Sequence, residues 1–248
     1  MKRQLRIALL LLTVVGSARF CSAVDIYSGG VADGNLYRTD SVTAATTLIG
    51  PMGILPYDIA FGPSGQLYAS DGGALYNVNA NTGASTIIGL HGAFINALDF
   101  RSNGVLYGAG GDQLHTINTA NGVISFVGAN GLYYSGGDLA FAPDDSLYMT
   151  TINNELVQLS TVTGAATLIG PIGFTDVYGI DFIGNTLYAI TAGGQLLTVN
   201  TSTGAGTLVT ATNTGFYNGG SSVNPVPEPA SLALLSLGGL MMILRRRV

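Results

Sequence analysis

The chain has no tryptophan, a single cysteine, and charged side chains at only 9% of its 248 positions. The cysteine is Cys21, inside an N-terminal segment that reads as removable. A chain without a second thiol forms no internal disulfide, so its core must hold it together even in an oxidising compartment. Between residues 24 and 226 the basic side chains are Arg38 and Arg101 alone, against 13 acidic ones, for a net charge of −11. Nucleic acid is bound through clustered Lys and Arg, so this composition excludes it as a partner. Histidine occurs only as His91 and His115, 24 positions apart and without Cys, His or acids at metal-ligand spacing. There is no Gly-x-Ser-x-Gly elbow and no phosphate-cradling glycine motif between a strand and a helix.

What is abundant is glycine, at 36 positions, with Thr, Asn and Ser between short runs of Val, Ile and Leu. That is the composition of many short strands joined by tight turns. The pattern repeats. A Leu-led strand, a turn and a Thr-rich strand recur from Leu36, Leu75, Leu114, Leu156 and Leu196, at spacings of 39, 39, 42 and 40. Each full unit adds two earlier strands. One ends in Phe61, Phe100, Phe141 or Phe182; the next opens with Leu-Tyr at Leu67, Leu106, Leu147 or Leu187. Gly62-Pro63-Ser64-Gly65 and Ala142-Pro143-Asp144-Asp145 lie between them as turns.

Units of about 40 residues with four antiparallel strands predict an all-β fold, a five-bladed β-propeller. The first copy lacks its innermost strand. A segment after the last copy, Phe216 to Val223, echoes Tyr133 to Ala140. The C-terminal strand is therefore expected to complete the blade begun at the N-terminus and so close the ring. The predicted organisation is a signal peptide at 1–23, a propeller at 24–224 and a sorting tail at 225–248.

The two ends carry addresses. Met1 to Arg6 is basic, Ile7 to Val15 is apolar, and small residues follow, with cleavage after Ala23 or after Ala18. This is the order of a secretory signal peptide, implying signal peptidase and the Sec machinery. At the other end, Val226-Pro227-Glu228-Pro229 precedes an uncharged run from Ala230 to Leu244, then Arg245, Arg246 and Arg247. As a helix that run is about 22 Å long, a short span for a hydrocarbon core of roughly 30 Å. Arginine snorkelling and local thinning would allow it to serve as a transmembrane helix. A buried C-terminal helix of the domain is the alternative, disfavoured by three consecutive arginines. The tail resembles the PEP-CTERM sorting domain of Gram-negative bacteria, with its three parts in order. The resemblance implies processing near Pro-Glu-Pro by an exosortase and transient anchoring in the inner membrane. It also implies release to a cell surface or matrix, with a link to exopolysaccharide and biofilm. The repeats are similar to bacterial surface propellers of the YVTN and NHL kind, which imply fold more than activity.

Two candidate sites follow. Asp58, Asp99, Asp138 and Asp181 lie three or one residue before the repeated Phe, all on one face of their strands. They would either line the channel, as a Ca²⁺ site or an acid/base pair, or accept backbone N–H groups between blades. Repeated positions favour the second reading, and no cofactor is expected. The segments that lead into the blades carry Tyr57, Phe94, Tyr133, Tyr134, Tyr178 and Tyr217. These rings either pack between blades or form a carbohydrate-facing surface. The expectation is a monomeric, secreted, non-enzymatic propeller that binds glycan or serves structurally. The alternative is a polysaccharide-acting hydrolase or lyase using the channel carboxylates.

Overall fold

A computed structural model describes residues 24–211 and the strand 217–222. The signal segment, the sorting motif from Val226 to Arg247 and the helix expected at 230–244 lie outside the described residues, and among those described there is no helix. Twenty strands form five four-stranded sheets. Blade 1 holds β1 (Asp25–Gly30), β2 (Asn35–Asp40) and β3 (Thr46–Pro51). Blade 2 is β4 (Asp58–Phe61), β5 (Leu67–Ser70), β6 (Gly72–Val78) and β7 (Ser85–Ile95). Blade 3 is β8 (Ala97–Phe100), β9 (Leu106–Gly110), β10 (Gln113–Ile117) and β11 (Ile124–Ala129). Blade 4 is β12 (Ser135–Phe141), β13 (Leu147–Thr151), β14 (Glu155–Leu159) and β15 (Ala166–Pro171). Blade 5 is β16 (Val177–Ile183), β17 (Thr186–Thr191), β18 (Gln195–Val199) and β19 (Gly206–Ala211). The last strand, β20 (Tyr217–Ser222), pairs antiparallel with β1, so blade 1 has the order β20-β1-β2-β3. The ring closes with the last described strand, and every blade then has four strands.

The turn chemistry explains the repeat. Each third strand ends on or is followed at once by Asp40, Asn79, Asn118, Ser160 or Asn200, whose side-chain oxygen accepts an N–H two residues on. This Asx or Ser turn bends the chain back into the outer strand. The outer strands themselves carry a bulge opposite β2, β6, β10, β14 and β18. Bulges twist an exposed edge away from further pairing.

The core lies between blades. Between blades 1 and 2, Leu36 and Met52 pack on Ile59, Leu67 and Val78. Leu75 and Ile95 meet Leu98, Leu106 and Ile117 at the next junction. Blades 3 and 4 share Leu114, Leu139, Met149 and Val157, and blades 4 and 5 share Leu156, Ile172, Ile180 and Leu197. Fully burying one such side chain contributes about 1.5–3 kcal/mol. The second-strand Tyr of blades 1 to 4 meets the Phe of the following blade edge-on or tilted: Tyr27 with Phe61, Tyr68 with Phe100, Tyr107 with Phe141 and Tyr148 with Phe182, with ring centroids 5.0–5.6 Å apart. The two repeated aromatic positions are therefore one device, a ring pair that locks neighbouring blades.

Candidate functional site

The four aspartates sit on the innermost strands. Asp58 Oδ1 accepts the N–H of Ile59 at 2.7 Å, and its Oδ2 accepts the N–H of Leu98 in the next blade at 2.5 Å. Asp138 repeats this with Leu139 at 2.7 Å and with Ile180 of blade 5 at 2.6 Å. Asp99 works one level lower, on Phe100 at 2.6 Å and Phe141 of blade 4 at 2.5 Å. Asp181 accepts from Phe182 at 2.6 Å. Each carboxyl is thus spent on backbone donors, and three of the four are seen to bridge two blades. Asp58 and Asp138 also hydrogen-bond each other across the channel, although their blades are not adjacent. Both are fully buried, so this pair stoppers the channel. Burial pushes the Asp58 carboxyl well above the usual range, against the pull of its hydrogen bonds. Burial does the same to Asp99, helped by the negative charge of Asp181. Among the described residues no group of three or more His, Cys, Asp or Glu is placed to hold a metal ion.

Above the stopper the channel opens into a funnel of about 360 Å³, lined by Val31, Tyr57, Asn96, Gly136, Gly137 and Tyr178. Every blade contributes. Val31 comes from the loop after β1; the others precede or begin the innermost strands. Tyr57, Asn96, Gly137 and Tyr178 all lie four residues before the repeated Phe. At that position the repeat does not repeat. In β12, Ser135 pairs with Thr151 and Leu139 with Met149, so Gly136, Gly137 and Asp138 stand opposite Thr150 alone. This bulge brings two glycines to the funnel, where a Cβ on Gly136 would lie 2.5 Å from the Thr151 carbonyl oxygen. Asn96 donates through Nδ2 to the Ser135 carbonyl at 3.4 Å, while its buried Oδ1 has no partner.

A second hollow of about 540 Å³ adjoins the funnel and shares Tyr57 with it. Asp71, Leu90 and Phe94 line it, with the glycines at 72, 73 and 92. Tyr57 and Phe94 meet edge to face at 5.1 Å and remain 38% and 52% exposed, and Leu90 is 70% exposed. Leu55, Leu132, Tyr134 and Ile152 are exposed on the same upper face. The face is held by backbone bonds from the lead-in segments to the loops between second and third strands. Examples are Tyr57 N–H to Ser70 O at 2.7 Å, Ser135 N–H to Gly111 O at 2.7 Å and Ile152 N–H to Tyr134 O at 3.1 Å.

The aromatic candidates thus divide. Tyr57 and Tyr178 line the funnel and Phe94 lines the hollow. Tyr134 is exposed beside them, whereas Tyr133 packs against the core of blades 3 and 4. The Tyr217 side chain lies outside the described residues. Sequence reasoning passed over Asn96, Val31, Gly136, Gly137 and Asp71. The signal for Asn96 and Gly137 was present: a variable position inside an otherwise regular repeat. His91 and His115 are structural. His91 spans blades 2 and 3, with Nδ1 3.1 Å from Gly122 O and Nε2 3.2 Å from Ser70 Oγ. His115 is buried against Phe126.

No family model matches the sequence, and no curated protein matches it. Solved structures do match in fold. One is a symmetrical protein described for its de novo evolutionary emergence, 19% identical over 83% of this chain and 100% of its own, with a TM-score of 0.56. A chain of a nidogen/laminin complex is 13% identical over 81% and 85%, with a TM-score of 0.54. A gluconolactonase of Xanthomonas campestris is 14% identical over 79% of each chain, with a TM-score of 0.53. At these identities the likeness is one of fold, and the fold of this chain is a five-bladed β-propeller.

Proposed function

We propose that this protein is a secreted, non-enzymatic propeller whose upper face binds exopolysaccharide at a cell surface or in a biofilm matrix. The observation that carries the reading is the funnel and its neighbouring hollow. They offer exposed aromatic rings beside the polar residues Asn96 and Asp71, and sugars are bound by stacking on rings and by hydrogen bonds to their hydroxyls. The ends supply the address: Sec export through the signal segment, anchoring through residues 230–244, and exosortase cleavage near Val226-Pro227-Glu228-Pro229. The released domain acts as a monomer. The test is binding of the purified protein to the host's own exopolysaccharide. Tyr57→Ala and Tyr178→Ala should each weaken saturable binding, and unchanged binding would refute the reading. For the address, deleting residues 226–229 should leave the protein uncleaved in membranes; normal processing would remove the sorting proposal.

A hydrolase is the second reading, favoured by the fold likeness to a gluconolactonase. Asp58, Asp99, Asp138 and Asp181 do not suit it. Paired glycosidase carboxyls stand roughly 5–9.5 Å apart around the bond they cleave. Here Asp58 and Asp138 touch, both fully buried and each holding backbone N–H groups.

A further inference from the structure

The described charges divide by face. Asp33, Asp71, Asp112 and Asp176 lie in the loops and lead-in segments of the upper face, and Glu155 opens β14 at the same end. Neither arginine is there. Arg38 pairs with Asp25 at 3.3 Å in the lower half of blade 1, and Arg101 pairs with Asp145 at 3.1 Å between two lower loops. Among the described residues, the charges on the surface that carries these aromatics are therefore all acidic. Two of its carboxylates touch the site. Asp71 lines the hollow beside Tyr57 and Phe94, and the exposed Asp176 accepts the hydroxyl of the funnel residue Tyr178 at 3.0 Å. Asn96 lines the funnel together with Tyr57 and Tyr178.

Resting on the glycan-binding reading above, we propose that the ligand is a polysaccharide bearing free amino groups, bound across Tyr57 with its ammonium groups against Asp71 and Asp176. The chemistry is complementary at each point. Ammonium groups are attracted both to carboxylates and to the faces of Tyr and Phe. A uronate polymer meets only like charge on this face. A basic peptide fits less well, because peptides dock along a sheet edge or a linear groove. The funnel instead presents strand ends and loops from all five blades.

The experiment titrates the purified protein with four probes: glucosamine hexamer, N-acetylglucosamine hexamer, galacturonate hexamer and oligolysine. The glucosamine oligomer is expected to bind about ten-fold or more tighter than its acetylated form, and to weaken as salt rises from about 0.01 M to about 1 M. Asp71→Asn and Asp176→Asn should each lower that affinity about five-fold. Both variants keep a side-chain carbonyl for the local N–H groups, and Asn suits the positive φ of 57° at residue 176. Unchanged melting temperatures would show that the loss is one of binding. Equal binding of the acetylated oligomer would overturn the amino-group assignment while leaving glycan binding intact. Equal binding of oligolysine would show that the face reads charge alone and would also overturn it. Binding of none of the oligosaccharides would overturn both readings.

Discussion

Gly89 in blade 2 and Gly122 in blade 3 touch backbone to backbone: a Cβ on Gly122 would sit 2.5 Å from the Gly89 carbonyl oxygen. The same contact joins Gly50 to Gly83, Gly128 to Gly164 and Gly170 to Gly204. The fifth junction breaks the rule. Thr210 takes the place of the first glycine, as its pairing with Leu196 shows. Ala44 takes the place of the second, keeping a positive φ of 54°. Its methyl packs with Ile26, Ile190 and Leu196. The ring is thus closed by a junction of different construction, at the point where the first and last strands meet.

Gly122→Ala adds a methyl to a backbone contact at a φ of 75°, so it incurs both overlap and strain. It should destabilise the protein by about 2–4 kcal/mol. Ala44→Gly at the closing junction should cost no more than about 1–1.5 kcal/mol, the loss of one small packed methyl. Denaturant titration measures both, and a Gly122→Ala cost within about 0.5 kcal/mol of zero would discount the close approach.

The Asp58 carboxyl is protonated more readily in the folded protein than in the unfolded chain. Between the unfolded value near 4 and the raised folded value, the folded state binds more protons. Stability therefore falls as pH rises through that window, by at most about 1.4 kcal/mol per pH unit per group. Asp58→Asn keeps a donor toward Asp138 but loses one backbone acceptor, so it should cost about 1–3 kcal/mol and flatten the slope. Melting temperatures across pH decide this; an unchanged slope in the variant would place the titration elsewhere.

His91 and His115 give the opposite slope. Burial lowers both, with the His91 charge adding to the effect on His115. The unfolded state then binds more protons just below the ordinary imidazole value of about 6.5, so stability falls as pH drops through that value toward the folded ones. Replacing both with Gln should remove this loss, and a persistent loss would count against it.

Removing residues 217–222 leaves β1 with an open edge, since β20 is its inner partner. The truncated protein should associate or precipitate under conditions where the intact one stays monomeric. Light scattering tests this. A monomeric truncation with an unaltered melting temperature would mean that closure matters little.

Replacing Phe141 with Ala removes one member of the Tyr107–Phe141 pair and should cost about 3–5 kcal/mol. A double-mutant cycle with Tyr107 should return a coupling of about 0.5–1.5 kcal/mol, and zero coupling would reduce the pair to independent burial.

The architecture was legible because a propeller writes its period into the chain. Leu36, Leu114, Leu156 and Leu196 lie one residue inside their third strands, and Leu75 lies three residues inside the longer β6. Phe61 and Tyr27 announced strands in sequence, but only the fold showed that they meet edge-on across a blade junction. The site was half legible. Tyr57 and Tyr178 stood out as aromatics. Asn96 and Gly137 did not, because their importance lies in sharing a repeat position whose side chains converge from different blades.

Local pattern was enough to set strand count and turn positions, because each depends on residues a few positions apart; ring closure joins the two ends, Ile26 with Ser222, and was legible only because the segment after the last copy echoes an inner strand. Which groups meet between blades depends on residues 40 or more apart in sequence, as with the Asp58 carboxyl and the Leu98 N–H. Periodicity puts the four aspartates on one face but cannot say what opposes them there. Packing the five blades into a ring answered that: it turned four carboxyls into backbone clamps and gathered the variable position of the repeat around the funnel.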